Sequence, residues 1–196
     1  MRVSRQQAAE NRERVIETAS RLFRENGFDG IGLKDLMAGA GLTQGGFYKQ
    51  FASKDELAAL ASHCALTSAA ERWSTAIAKS GDPLSAVTNF YLSEGHSAEL
   101  ADGCPIVALG SDAARQGPEV KAAFEAGIRQ QLDMISGWLG EGKVDEAMAM
   151  LSTMVGAVLL SRVVNDQGLS KQFLRSAASS VSRQAEAVAD RPEHMQ

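Results

Sequence analysis

Apolar residues recur at close to a helical period over residues 8–26, where Ala8, Val15, Ile16, Ala19, Leu22 and Phe23 share one face. Gly27 stands where a left-handed cap ends such a helix. A short helix is predicted from Leu33 to Ala40, with Gly32 as a weak cap before it and Gly41 as its stop. Thr43 is placed to cap a helix over Gln44–Phe51. Ser53 caps a long helix from Lys54 to about Lys79, and Glu56 completes a capping box. Asp82-Pro83 restarts the chain as a helix to about Glu99, with the aspartate as cap and proline in the first turn. Gly103-Cys104-Pro105 opens the next helix, and Gly117-Pro118 opens another that reaches Leu139. After Gly140-Glu141-Gly142 an apolar helix runs from about Val144 to Asn165 and stops at Gly168. Ser170 starts a last helix to about Ala189, and Arg191–Gln196 are expected to fray. No segment alternates as a strand would and no repeat occurs, so the pattern predicts an all-α chain of about nine helices.

Composition narrows the class. Of 196 residues 44% are apolar, enough for a real core and against a disordered chain. Eighteen glycines and four prolines argue against collagen-like and turn-rich β folds. Two cysteines, Cys64 and Cys104, are too few for a disulfide scaffold and point to a reducing, cytoplasmic setting. The richest apolar stretch, Met148–Val164, is interrupted by Ser152, Thr153, Ser161 and Arg162, so no membrane span of about 18 residues is expected. The start, Met1-Arg2-Val3-Ser4-Arg5, is polar and leads into a charged helix rather than an apolar signal core.

Charge is uneven. Residues 1–54 carry nine Lys/Arg against six Asp/Glu, a net of +3, and residues 55–196 carry eleven against eighteen, a net of −7, which together make the −4 of the whole chain. A mildly basic head on an acidic body suggests a small polyanion-binding module beside a larger domain with another task.

Residues 30–57 give that suggestion its chemistry. Leu36 and Met37 make one apolar face, Ala40-Gly41-Leu42-Thr43 a tight turn, and Phe47 and Phe51 a second face at i, i+4 spacing. Two short helices joined by a glycine turn fit a helix-turn-helix, spanning about residues 33–52. The second helix opens with Thr43, Gln44, Gly45 and Gly46, whose small size lets the backbone approach base edges. Gln44 has the amide geometry to read adenine, and Thr43 can touch a base or a phosphate. Tyr48, Lys49 and Lys54 suit phosphate oxygens, Lys54 lying beside a helix N-terminus that itself attracts anions.

The run Lys34-Asp35-Leu36, Ala40-Gly41-Leu42-Thr43, Gly45-Gly46-Phe47-Tyr48, Phe51 and Ser53-Lys54-Asp55-Glu56-Leu57 resembles the N-terminal motif of the TetR family of transcriptional regulators. The resemblance covers roughly residues 10–60 strongly and the helical plan of the rest weakly. It departs at Gly32, where family members often carry a serine or threonine, and at Gly46, where threonine is common. It implies a DNA-binding domain over residues 1–57, in which Lys34 and Phe47 join the candidates above, and an effector-binding and dimerisation domain over 58–196. It also implies the partners: a palindromic duplex operator, a small-molecule effector and a second copy of the chain, with no membrane and no cofactor or metal.

The C-terminal sequence supports a dimer independently. The helix from Val144 is apolar around most of its circumference and therefore needs burial on both sides. Leu151, Met154, Val155 and Val158 on that helix, with Phe173, Ala177 and Val181 on the last one, are the expected interface. The candidate effector pocket draws on Trp73, Phe90, Tyr91, Ile106 and Leu109, with Phe124, Ile128, Met134 and Trp138 from the following helix. As a group they make an apolar, partly aromatic lining.

Cys104 joins that set because Gly103-Cys104-Pro105 puts its thiol at a helix N-cap, where unpaired N–H groups favour thiolate; Asp102 and Glu99 oppose this. The Gly-Cys-Pro start followed by Leu109, Asp112 and Arg115 also resembles a subgroup of TetR-type regulators, which implies control of detoxification, reductase or efflux genes. Two alternatives stay open: a thiol-dependent enzyme or redox sensor using Cys104, and an architectural DNA binder without an effector. Catalysis is not expected, since His63, His96 and His194 show no zinc-ligand spacing and neither a phosphate-binding glycine loop nor a nucleophile elbow occurs.

Overall fold

A computed structural model describes residues 4–190, so the expected fraying of Arg191–Gln196 lies outside the described residues. The chain is all-α: nine α-helices and one 3-10 helix, with no strand among the described residues.

Local capping chemistry explains where the helices start. Helix α1 (Arg5–Asn26) begins three residues ahead of the apolar period because the Ser4 hydroxyl accepts the Gln7 N–H at 3.1 Å. Helix α2 (Leu33–Gly39) ends at Gly41, whose φ of 72° is open to glycine at little cost. There the Leu42 N–H reaches the Met37 carbonyl and the Gly41 N–H the Ala38 carbonyl, both at 2.9 Å, a Schellman closure.

The expected helix over Gln44–Phe51 is instead a 3-10 helix, Gln44–Lys49, tied by Gly46 N–H to Thr43 C=O at 3.0 Å and Gln50 N–H to Phe47 C=O at 2.8 Å. Two consecutive glycines weaken an α-helix by about 1 kcal/mol each, which leaves a short 3-10 run favoured. Thr43 stands at the N-cap without a side-chain capping bond, contrary to its expected role.

Helix α3 (Lys54–Ile77) starts at a near-complete capping box. Ser53 Oγ accepts the Glu56 N–H at 3.0 Å, while Glu56 Oε2 accepts the Ala52 N–H, one residue earlier than the motif predicts. The single helix expected over 83–99 is two, α4 (Pro83–Tyr91) and α5 (Glu94–Ala98), because Ser93 caps a new start by accepting the His96 N–H at 3.0 Å. Helices α6 (Pro105–Ala113), α7 (Pro118–Leu139) and α8 (Val144–Val163) follow their proline and glycine signals. Helix α9 (Gln167–Ala189) starts before Ser170: Asp166 Oδ1 accepts the Gly168 and Leu169 N–H groups, a stronger cap than the expected serine. Gly168 thus lies in the first turn of α9 rather than ending α8.

The chain packs as two compact units. The first contains α1, α2, the 3-10 helix and α3 as far as Ala69, together with residues 100–127. Its core joins Phe23, Phe28, Leu36, Met37, Phe47, Phe51 and Leu57 to Leu109, Val120 and Phe124. Polar ties fasten α1 to the segment before α6. The nine-tenths-buried Arg24 donates from Nη1 to the Gly103 carbonyl at 3.1 Å and from Nε to the Ser20 carbonyl at 2.9 Å. Asp112 of α6 accepts the Phe28 N–H at 3.4 Å and pairs with Arg115. A Cβ at Gly127 would stand 2.7 Å from Leu66, so glycine there lets α7 lie against α3.

The second unit takes residues 70–99 and 128 onward, in which α8 packs along α9. Ser97 and Ser161 share a hydrogen bond of 2.7 Å, and Arg162 donates to the Ser97 and Glu99 carbonyls at 2.8 Å, holding α5 against α8. By length and composition α8, with mean hydropathy 1.4, is the one described helix able to cross a membrane. It buries Ala147, Met150, Leu151, Met154, Ala157, Val158 and Ser161 in the chain's own packing.

Burial corrects the choice of interface residues on α8. Met154 and Val158 have no exposed surface, and Leu151, Ala177 and Val181 are also buried within the chain. The apolar side chains left exposed are Val144, Met148, Leu159, Leu160 and Val163, and Leu169 at the start of α9. At about 100° per residue, Val144, Met148, Val155, Leu159 and Val163 form one stripe along α8. A helix apolar all round gives no period by which sequence alone can tell its inner side from its outer one.

Candidate nucleic-acid interface and sensing site

Phe47 is the pivot of the interface. It is fully buried, 5.4 Å from the Phe51 ring and edge-on to Tyr48 at 5.1 Å. Its side chain therefore locks the 3-10 helix to α2 and is not available to DNA, which corrects its inclusion among the contact residues. Around this pivot Thr43, Gln44, Gly45, Tyr48 and Lys49 all stay exposed, Tyr48 to 73%. Nothing approaches a Cβ built at Gly45, and a Cβ at Gly46 would meet only Met37, at 3.7 Å. Lys34 is exposed on the first turn of α2. Lys54 is half-buried at the first turn of α3, its Nζ 6.0 Å from the Phe23 ring centre. Arg12, which the sequence did not single out, braces the same surface: it donates to the Gln50 carbonyl, pairs with Glu56 at 3.3 Å and lies over the Phe51 ring. Its signal was the charge at the edge of the apolar face of α1.

The expected effector residues fall into two groups rather than one. Leu109 and Phe124 belong to the core that holds the helix-turn-helix, and Ile106 packs against it. Cys104 is in the same unit, 1% exposed, at the N-cap of α6 with Pro105 in the first turn. Trp73, Phe90, Tyr91, Ile128, Met134 and Trp138 are in the second unit. There the Trp73 ring lies 5.9 Å from Tyr91 and 6.2 Å from Trp138, and His96 lies 4.8 Å from Tyr91 and 5.1 Å from Phe90.

The same unit holds buried polar groups which the sequence did not flag. Both ring nitrogens of His96, the Thr88 hydroxyl and both side-chain amide atoms of Gln131 are buried without a hydrogen-bond partner. Each such orphan costs about 1–3 kcal/mol, an expense typical of a site built for something other than packing. Gln131 follows the spacing of Ile135 and Trp138 along α7, at four and seven residues, and so shares their face.

His96 makes this unit sensitive to acid. Burial, aided by the charges of Arg72 and Arg162 and opposed by Glu99, pushes its imidazole down to about 4. An unfolded histidine titrates near 6.5, so between these values the unfolded chain binds the extra proton. The stabilisation from neutral His96 is thus complete above pH ~6.5 and is lost as pH falls toward 4, by about 3 kcal/mol. Urea denaturation at pH 7 and pH 4 should show wild type losing about that much more stability than His96→Phe. Equal losses would contradict a neutral buried imidazole.

A turn-linked pair of helical segments with an exposed amide, aromatic and basic edge defines the first unit as a helix-turn-helix DNA-binding module. Residues 15–61 match the family described as bacterial regulatory proteins, tetR family. The whole chain is similar to a TetR transcriptional regulator from Chloroflexus aurantiacus, with 26% identity, 95% of this chain and 98% of that one covered, and a TM-score of 0.77. It is also similar in fold to E. coli NemR in its reduced form (20% identity, 89% and 96% covered, TM-score 0.76) and to a TetR-family regulator from Cytophaga hutchinsonii (18%, 93% and 98%, 0.78). No curated protein sequence matches the chain. Residues 15–61 thus match the DNA-binding segment of TetR-family regulators, and the chain as a whole shares the fold of such transcriptional regulators.

Proposed function

We propose that the chain is a cytoplasmic, effector-responsive repressor that binds a palindromic operator as a homodimer. The observation that carries this reading is the exposed edge Thr43–Gln44–Tyr48–Lys49 mounted on a fully buried Phe47. Tyr48, Lys49, Lys34 and Lys54 hold phosphates, the exposed Gly45 backbone lets the turn approach closely, and Gln44 reads a base. DNA recognition belongs to residues 1–57, sensing and dimerisation to 58–196. Two recognition segments must enter successive major grooves about 34–36 Å apart, which requires two copies of the chain. The exposed stripe on α8, with half-buried Phe173 of α9, supplies the surface by which they pair.

The orphaned polar atoms of His96, Thr88 and Gln131, in the unit that also holds Trp73 and Tyr91, support effector sensing there. Helix α3 contributes residues to both units and is the natural lever. An effector that prefers the mis-spaced dimer by about 1–3 kcal/mol releases DNA roughly 5–150-fold. A second reading uses Cys104 as the sensor. Its neighbour Gly103 accepts a hydrogen bond from Arg24 of α1, so a modified thiol would disturb a helix of the DNA-binding module. Cys104→Ser separates the two. Release by an inducing compound in this variant identifies reversible binding, whereas a variant that binds operator normally and stays bound identifies the thiol. Failure of every apolar, aromatic and electrophilic compound to shift operator affinity would leave an architectural DNA binder.

A further inference from the structure

The 3-10 helix of the candidate DNA edge is held unevenly. At its N-terminal end Thr43 makes no side-chain capping bond, and no atom comes within 4 Å of a Cβ built at Gly45. A short 3-10 run with two glycines is soft, because its hydrogen bonds are poorly aligned and glycine disfavours helical order. At its C-terminal end one ion pair closes the three-residue link to α3. Arg12 donates from Nε to the Gln50 carbonyl at 3.4 Å, and Glu56 accepts the Ala52 N–H on Oε2 at 2.6 Å. Arg12 Nη2 and Glu56 Oε1 meet at 3.3 Å, so the pair spans the link Gln50-Phe51-Ala52 from its first residue to its last. Inside the link Phe51 is buried, its ring centre 5.0 Å from the Arg12 guanidinium and 5.4 Å from Phe47. Gln50 follows directly on Tyr48-Lys49, and its N–H closes the last turn on the Phe47 carbonyl at 2.8 Å. An ion pair with 38% and 35% of its side chains open to solvent adds little stability, so its contribution is directional.

We infer that Arg12 is a positioning residue for DNA recognition. Paired with Glu56, it fixes the Gln50–Ala52 link and thereby the direction in which Gln44, Tyr48 and Lys49 face the duplex. The inference rests on reading that edge as the DNA-contacting one and names what sets its orientation. Arg12 belongs to α1, outside the helix-turn-helix, and its planar fork serves the Gln50 carbonyl and Glu56 at once. A lysine carries the same charge on a single ammonium without that fork. An edge fixed before contact loses less freedom on binding and holds Gln44 in register with one base. The pair therefore governs discrimination between sequences more than attraction to DNA.

The test uses the full chain and two duplexes, the one that wild type enriches from a random pool and a scrambled one of the same length. Circular dichroism establishes that each variant is folded. Arg12→Lys should weaken binding to the preferred duplex about tenfold, leave the scrambled duplex within about twofold, and keep the salt slope of wild type. Glu56→Gln, which keeps an acceptor for the Ala52 N–H, should do the same. The two together should lose no more than either alone, since they act as one unit. In a Gln44→Ala background Arg12→Lys should cost little more on the preferred duplex, because the contact it orients is already gone. Wild-type discrimination in Arg12→Lys, or losses from Arg12→Lys and Gln44→Ala that add, would overturn the inference. So would equal loss on both duplexes: with a salt slope lowered by about 1 per protomer in Arg12→Ala it makes Arg12 a direct phosphate contact, and at the wild-type slope it reports a smaller folded fraction. If wild type itself enriches no duplex, the reading of the edge fails, and the inference with it.

Discussion

Leu159→Asp should convert the protein to a folded monomer that no longer holds its operator. Leu159 is 44% exposed on a single chain, so the carboxylate costs the protomer little. In a dimer paired through the α8 stripe the same carboxylate is buried without a partner, a penalty of about 3–5 kcal/mol, enough to raise the dimer dissociation constant by a factor of about a hundred or more. Val158→Asp gives the contrast. Val158 is fully buried in its own chain, so that variant should lose its helical fold as well as its partner. Sedimentation separates mass and circular dichroism separates folding. A Leu159→Asp protein that remains dimeric would move the interface off the α8 stripe.

Lys54→Ala and Gln44→Ala should fail on DNA in different ways. Lys54 stands at the start of α3, where its charge adds to that of the helix N-terminus. Its loss should weaken binding to every duplex alike and lower the salt slope by about 1 for each protomer, hence by about 2 for the dimer. Gln44 is exposed at the head of the 3-10 helix, beside glycines that leave room for a close approach. Its loss should cost about 1–3 kcal/mol per half-site on the preferred sequence and little elsewhere, provided the amide makes a bidentate contact with adenine. Binding measured between about 50 and 200 mM salt on preferred and scrambled duplexes resolves the two. Unchanged binding in both variants would place recognition on other residues.

The helix-turn-helix was legible because its parts are local. The positive φ of Gly41, the i, i+4 pair Phe47–Phe51 and the Ser53–Glu56 cap each depend on residues a few positions apart. What was not legible depends on competition or on distance. Gly45-Gly46 turned an expected α-helix into a 3-10 helix, and Ser93 and Asp166 won helix starts from neighbouring candidates. The residues expected to line one effector pocket divided because Leu109 and Phe124 pack with Phe47 and Leu36, a fact of tertiary contact that no spacing in the chain contains. The orphans at Thr88, His96 and Gln131 are likewise invisible in sequence, where each is an ordinary polar residue on a helix.

The central claim, that the chain recognises a specific two-fold operator through the edge carried on Phe47, is tested most directly by selecting bound sequences from a random duplex pool with wild type and Gln44→Ala side by side. The account predicts that wild type enriches one palindromic site and that Gln44→Ala relaxes the preference at one position in each half-site. Enrichment of no sequence, or the same palindrome at full strength from the variant, would contradict it.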